Sequence, residues 1–277
     1  MAYKRILTIQ DVSCLGQCSL TVALPILSAC GHETCIIPSA VLSTHTGEFK
    51  GYTFRDLSED IPMIRKHWEK EKISFDAIYT GYLGSAREVN YVLDIFESLL
   101  KPNGLIVVDP AMGDNGRLYA GFNTEYVEAM KKLCAKADVL IPNITEAALL
   151  TGIEYKEVYD REYIERLIEA LKKLGAQRIV LTGVGFDAEH TGVFACNENE
   201  SRYYMHNKLP RMCHGTGDIF ASAFTGAYLK GKNIFDSAKI AADFTFKSIE
   251  NTMDDPEHWY GVKFETVLPE LIRKLES

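Results

Sequence analysis

Residues 215–218, Gly-Thr-Gly-Asp, combine the parts needed to move an anionic group onto an alcohol. Gly215 and Gly217 lack a Cβ, so their backbone can come close to a ligand. Thr216 sits where an N-cap would, and the pattern predicts a helix opening at about Gly217 and running to Leu229. A helix start offers unpaired N–H groups and partial positive charge, which suits a phosphate or a developing anion. Asp218, in the first turn, has two readings. It is a helix starter matched to the dipole, or it is a general base beside an anion hole, as phosphoryl transfer to an alcohol requires.

Other carboxylates follow strand-like runs. Asp109-Pro110-Ala111-Met112-Gly113-Asp114 offers two, which suit Mg²⁺ held directly or through water near a nucleotide's phosphates. An ordinary polar turn is the competing reading. Asn143-Ile144-Thr145-Glu146 is nearly a capping box. A capped helix start still presents a carboxylate to a metal-bound water, so the two roles are compatible. Residues 81–85 read as a strand-to-helix turn. Asp11 follows the first strand directly. It either points into the crevice beyond the sheet or caps the following turn.

Two motifs are rejected. Residues 226–233 approach a P-loop but lack its Ser/Thr, and they end a helix where a P-loop begins one. Residues 183–188 mimic a dinucleotide fingerprint, yet a strand pattern follows instead of a helix. His45 is the histidine that falls inside a candidate site loop, and His214 adjoins the glycine turn. His32, His67, His190, His206 and His258 read as surface or structural. Cys14 and Cys18 have no second Cys/His pair at zinc spacing.

Gathering these residues requires a scaffold that ends many elements at one edge. Apolar periodicity predicts strands at 3–10, 34–42, 75–80, 104–108, 138–141 and 178–181. It predicts helices at 19–30, 55–70, 86–100, 123–135, 145–150, 162–174, 234–251 and 264–275, with residues 43–53 as a loop or flap. Residues 191–196 and 202–206 alternate like an antiparallel hairpin. Strands alternating with helices mean a mainly parallel sheet, here as one domain over residues 1–277. In such sheets ligands bind beyond the carboxyl ends of the strands.

Composition narrows the class. Of the 277 residues, 47% are hydrophobic and 25% charged, as in soluble globular enzymes. The net charge of −8 argues against a nucleic-acid partner. No apolar run reaches membrane-helix length, and the N-terminus lacks a signal-peptide shape. Seven scattered cysteines suggest reduced thiols in the cytoplasm.

Jointly the motifs are far more specific than any one alone. They are Thr-Ile-Gln-Asp (8–11), Ser-Thr-His-Thr-Gly (43–47), Thr-Gly-Tyr-Leu-Gly-Ser (80–85), Asp-Pro-Ala-Met-Gly-Asp (109–114), Pro-Asn-Ile-Thr-Glu (142–146), Leu-Thr-Gly (181–183) and Gly-Thr-Gly-Asp (215–218). In that order they closely resemble the pyridoxal kinase branch of the ribokinase-like superfamily, over nearly the whole chain. The resemblance implies an α/β fold with a mainly parallel central sheet, helices on both faces and a small antiparallel hairpin. It implies Mg²⁺- and ATP-dependent phosphorylation of the 5′-hydroxymethyl group of pyridoxal, pyridoxamine or pyridoxine by a cytoplasmic homodimer, and it admits K⁺ as a further cofactor.

Residue by residue, the resemblance makes Asp218 the base and the backbone of Gly215, Thr216 and Gly217 the cradle of the transferring phosphoryl group. Asp109 and Glu146 organise Mg²⁺. Asp114, Tyr119, Asn143, Thr182 and Gly183 line the ATP phosphates, with Asp114 and Tyr119 on a covering loop. Asp11, Thr46 and Tyr82 surround the pyridine ring. Two departures weaken the ring end. Many members carry a hydroxyl residue where Asp11 stands, and Ser-Asn-His-Thr where this chain has Ser-Thr-His-Thr. The related hydroxymethylpyrimidine kinases are the enzymatic alternative. A non-catalytic pyridoxal-phosphate carrier is a third reading, disfavoured because a carrier needs neither a base nor a metal shell.

Overall fold

The fold comes from a computed structural model that describes residues 3–211 and 213–276. Met212, in the stretch leading to the glycine turn, lies outside the described residues, as do Met1, Ala2 and Ser277. The strands are β1 (Arg5–Ser13), β2 (Glu33–Leu42), β3 (Phe54–Asp56), β4 (Phe75–Thr80), β5 (Leu100–Val108), β6 (Gly113–Asp114), β7 (Arg117–Leu118), β8 (Val139–Leu140), β9 (Arg178–Val184), β10 (His190–Cys196) and β11 (Ser201–Asn207). The helices are α1 (Leu20–Ala29), α2 (Asp60–Lys70), α3 (Ala86–Leu99), α4 (Thr124–Cys134), α5 (Ile144–Thr151), α6 (Arg161–Leu174), α7 (Thr216–Leu229), α8 (Ile234–Glu250) and α9 (Leu268–Glu276).

One nine-stranded sheet runs in the order β11-β10-β9-β8-β5-β4-β1-β2-β3. Its six central strands, β9 to β2, are parallel. β3, β10 and β11 are antiparallel at the edges. From β1 the chain reaches β2 on one side and β4 on the other, so a crevice opens beyond the carboxyl ends of β1 and β4.

Side chains alternate across the pleat and feed two cores. Leu7, Ile9 and Ile78 pack against α3 to α6 through residues such as Val89, Met130, Ala147 and Leu167. Ile6, Ala77, Tyr79 and Val107 pack against α1, α7, α8 and α9 through Ile26, Phe224, Ala241 and Leu271. Most helices start with a side-chain cap: Ser85, Asn123, Asn143, Asp160 and Asn233 each accept an N–H of the first turn.

The structure corrects several expected boundaries. β1 does not stop at Gln10. It continues through Asp11 to Ser13 across a bulge between Gln10 and Val12, so Asp11 belongs to a strand and not to a turn. The helix expected from residue 55 begins at Asp60, because Phe54–Asp56 pairs with Ala40–Leu42 at the sheet edge. Thr182 and Gly183 continue β9 to Val184. A second hairpin, β6–β7, forms a two-stranded sheet of its own. These segments are two or three residues long, too short for periodicity to signal.

Candidate active site

The sequence-derived residues leave the carboxyl edge of the parallel strands. Asp11 lies on β1, and Gly81 and Tyr82 follow β4. Asp109 follows β5, Asn143 and Glu146 follow β8, and Thr182 and Gly183 end β9. Gly215 to Asp218 open α7.

Three carboxylates meet where these elements converge. Asp109 is 8% exposed and Glu146 2%. Burial first, then repulsion from Glu146 and Asp218, pushes the Asp109 carboxyl well up. Burial likewise pushes Glu146 up to about 7 against the pull of backbone N–H donors. Asp218 retains a solvent-facing edge but sits deep among protein atoms, and that desolvation, then repulsion from Asp11, raises it to about 7. No lysine or arginine offsets Asp109 or Asp218 among the described residues.

Glu146 is both cap and site residue. One oxygen accepts Asn143 N–H at 2.9 Å, closing the capping box, and the other accepts Met112 N–H at 3.0 Å. Asn143 Nδ2 donates to the Gly113 carbonyl at 2.9 Å, tying α5 to β6. Among the described residues Asp109 accepts only Ala111 N–H, at 3.1 Å, with Ala111 at a φ of 38°. A left-handed alanine stores strain, a frequent mark of functional turns. Asp114 sits exposed on β6, and Tyr119, just past β7, is near enough to Glu146, Asp114, Asp109 and Asp218 for their charges to raise its phenol further beyond the effect of burial.

The glycine turn differs from expectation in one respect. Gly215, not Thr216, is the N-cap, at φ 76°, and α7 begins at Thr216. The reason is contact: a Cβ on Gly215 would lie 1.7 Å from the Gln17 carbonyl oxygen. The turn is therefore laid directly on the loop joining β1 to α1. Gly217 is the opposite case. A Cβ there meets nothing within 4 Å and would project into open space. The cradle that an anion would fill is thus kept clear by the second glycine.

The charge of Asp11 reaches both Asp218 and Tyr82. Asp11 is buried and accepts from the Ser13 hydroxyl at 3.0 Å. Desolvation raises its pKa, and Ser19 and Ser13 hydroxyls oppose that rise. The Tyr82 phenol is raised to about 12 by burial and then by the charge of Asp11. Thr46 is exposed on the loop between β2 and β3. Its neighbour His45 spends both ring nitrogens on backbone: Nδ1 accepts Gly47 N–H at 3.1 Å and Nε2 donates to the Tyr260 carbonyl at 2.9 Å. His45 is thus a structural pin. His214 packs on it with ring centroids 4.8 Å apart. His32 and His258 are structural as expected, bonded to the Gly226 carbonyl and to Gln17.

Two contributors were missed from the sequence. Glu88, 3% exposed, accepts Gly84 N–H at 2.7 Å and the Ser58 hydroxyl at 2.5 Å. It fixes the 81–85 turn that carries Tyr82. Its position three residues after Ser85 was the available signal. Tyr79, fully buried below the cluster, feels Asp109 and Asp218. A tyrosine inside an apolar strand gives no such signal.

The family model described as phosphomethylpyrimidine kinase matches residues 32–261. The chain belongs to the phosphomethylpyrimidine kinase family. Its fold is the ribokinase-like one of solved relatives. It is 32% identical to a pyridoxal kinase from Lactobacillus plantarum, with a TM-score of 0.91 and 98% of each chain covered. It is 38% identical to a Bacteroides thetaiotaomicron protein named as a candidate phosphomethylpyrimidine kinase and solved with pyridoxal, with a TM-score of 0.91 over 98% of this chain and 96% of that one. Pyridoxal kinase of Arabidopsis thaliana is 26% identical over 91% of this chain and 83% of the relative.

For a phosphomethylpyrimidine kinase family member, the carboxylate cluster raises the question of a metal. No three His, Cys, Asp or Glu side chains form a cage among the described residues. The donors instead fit Mg²⁺, which typically takes one or two carboxylates and completes its shell with water and substrate phosphates. Among the described residues Asp109 has an oxygen without a bond and no basic partner. Glu146 has both oxygens on backbone N–H groups, so it suits a metal-bound water better than the metal.

A pH test follows. Asp218 and Glu146 ordinarily ionise near 3.8 and 4.5, but in the fold they hold their protons to about 7. The fold therefore binds more protons than the unfolded chain in that window, and stability falls as pH rises through it, then stays low. A divalent cation that neutralises the cluster removes this penalty only where the acids are ionised. Mg²⁺ should raise the melting temperature more at about pH 8 than at about pH 5 in calorimetry. Equal gains at both pH values would place the metal elsewhere.

Proposed function

We propose that this kinase transfers the γ-phosphoryl group of ATP to the 5′-hydroxymethyl group of a B6 vitamer: pyridoxal, pyridoxamine or pyridoxine. The observation that carries the reading is Asp218. It is a carboxyl raised to about 7, in the first turn of α7, beside an open glycine cradle and within reach of the charges of Asp11 and Asp109. A base poised near neutral pH next to an anion-binding helix start is what phosphoryl transfer to an alcohol needs. The likeness to a pyridoxal kinase over 98% of both chains supports the choice of acceptor.

Asp218 accepts the hydroxymethyl proton while the backbone of Gly215, Thr216 and Gly217 holds the moving phosphoryl group. Asn143, Thr182 and Gly183, at the ends of β8 and β9, line the ATP phosphates, and Asp114 and Tyr119 cover them from the β6–β7 hairpin. Asp109, and Glu146 through water, would hold Mg²⁺, which neutralises charge on the phosphates when bound. Asp11, Thr46 and Tyr82 receive the ring, with K⁺ as an optional helper. The protein works in the cytoplasm, where its seven free thiols stay reduced. It works as a homodimer, a state that would cover the exposed apolar edge of β3 at Phe54.

The family description favours one second reading, a hydroxymethylpyrimidine acceptor. ADP release measured across pyridoxal, pyridoxamine, pyridoxine and hydroxymethylpyrimidine decides between them. The B6 reading expects kcat/KM for at least one vitamer to exceed that for hydroxymethylpyrimidine by about tenfold or more, the worth of one good contact. The reverse order overturns it, and vitamer binding without ADP release means a carrier.

A further inference from the structure

The turn that carries Tyr82 is held from two sides. The Tyr126 hydroxyl donates to the Leu83 carbonyl at 2.8 Å, and Glu88 Oε2 accepts Gly84 N–H at 2.7 Å. The other Glu88 oxygen, Oε1, lies 2.5 Å from Ser58 Oγ. Ser58 Oγ lies equally close, 2.5 Å, to Oδ1 of Asp56 at the end of β3. A hydroxyl has one proton to donate. It cannot serve two ionised carboxylates, so this row of three oxygens needs a second proton. Oxygen positions alone let the bond between Ser58 and Glu88 run in either direction. Asp56 suits the ionised state. It is exposed, accepts Ser58 N–H at 2.7 Å and has the charges of Arg87 and Arg55 in reach. Glu88 suits the neutral state. It and Ser58 are both buried, and Arg87 is paired with Glu59.

We propose that Glu88 is a positioning residue that works as a neutral acid, donating to Ser58 Oγ while the Ser58 hydroxyl donates to Asp56. This row ties the Tyr82 turn to β3, and β3 directly follows the 43–53 loop that carries Thr46. The supports of two acceptor residues are thereby held at one spacing. The inference rests on the acceptor-site reading above, which gives the ring to Tyr82 and Thr46. Burial raises the Glu88 carboxyl, the Ser58 and Gly84 bonds oppose that rise, repulsion from Asp56 adds to it and Arg87 pulls against it. The Tyr82 and Tyr126 phenols feel the same charge and are themselves raised by burial, so they stay neutral over this range. The row is therefore complete at the ordinary glutamate value of 4.5 and is lost as pH climbs through the raised one.

The test uses Glu88→Gln, Glu88→Ala and Ser58→Ala in the full chain. Infrared difference spectra of wild type minus Glu88→Gln should show a protonated-carboxyl band at about pH 6, where an ordinary glutamate is ionised. Absence of that band overturns the neutral-acid assignment. Pyridoxal and ATP affinities are measured by equilibrium titration alongside melting temperature. Glu88→Ala should bind pyridoxal about tenfold more weakly and ATP within about twofold, the effect of releasing a hydrogen-bonded turn on the acceptor side alone. Ser58→Ala leaves Glu88 on Gly84 and should weaken pyridoxal about threefold. Glu88→Gln should match wild type within about twofold at about pH 6, because its amide oxygen serves Gly84 and its NH2 serves Ser58. As pH rises and the band fades, wild type should lose pyridoxal affinity relative to Glu88→Gln, whose amide does not titrate. A constant ratio while the band fades overturns the positioning role, as does unchanged pyridoxal affinity in Glu88→Ala and Ser58→Ala. A joint fall of both affinities with the melting temperature makes Glu88 a fold residue only, and Ser58→Ala decides the matter if Glu88→Ala does not fold. Wild-type protein that binds pyridoxal without releasing ADP refutes the kinase reading separately, while the band and the binding ratios still decide the role of Glu88.

Discussion

Asp218→Asn should turn over about 10²–10⁴ times more slowly than wild type, the usual worth of a general base. Asn keeps the shape but cannot take the proton. ATP affinity should stay within about twofold, since the cradle at Gly217 is untouched. The pH profile gives a second reading. In wild type the base is protonated below about 7, so the rate should fall as pH drops through that value. The residual rate of the variant should lack this limb. The melting temperature should move in the opposite direction to activity. Above about pH 7 the variant no longer carries a desolvated charge, so it should melt higher than wild type, and the gain should vanish toward pH 4. A variant with wild-type turnover would remove Asp218 from the mechanism.

Gly217→Ala should separate activity from stability. At the second position of α7 alanine is worth up to about 1 kcal/mol over glycine in helix propensity, and its Cβ would meet no protein atom. The variant should therefore fold at least as well as wild type. The methyl group would occupy the space in front of the helix N–H groups. Crowding an anion hole costs about as much as losing one of its donors, roughly 10²–10³ in kcat. Steady-state ADP release and thermal melting on one preparation check both halves. Full activity in Gly217→Ala would mean that the phosphoryl group lies elsewhere. Gly215→Ala is no substitute control, because its Cβ would strike the Gln17 carbonyl and strain a left-handed residue.

What the sequence discloses depends on how each feature is built. β4 and the helix ending at Leu174 are read nearly to the residue, because buried parallel strands and amphipathic helices repeat over many positions. Asn143 and Glu146 are legible as a pair, since a capping box is local. The repulsion that Glu146 and Asp218 exert on Asp109 is invisible in one dimension. It arises from burial among elements that are over a hundred residues apart in the case of Asp109 and Asp218. Asp11 is misplaced as a turn residue because a bulge has no periodic signature. Gly215 is misplaced relative to the cap for a similar reason: the contact that requires it is with Gln17, on a distant loop.

The pin at His45 has a consequence for how the protein is made. Its Nε2 bond reaches Tyr260, 215 residues along the chain, and Gln17 and His258 are 241 residues apart. The segment carrying those partners is held by Arg211, which donates to the carbonyls of Thr252, Asp255 and His258. Contacts of such separation form late, because the loop they close is costly to order before other structure holds its ends. During synthesis β1 to β9 emerge before α7, α8 and α9, which cover one face of their sheet, and before Tyr260 and His258, which close the acceptor-side lip. A nascent chain shorter than about 260 residues should thus lack both α9 and the closed lip, and be blind to the acceptor.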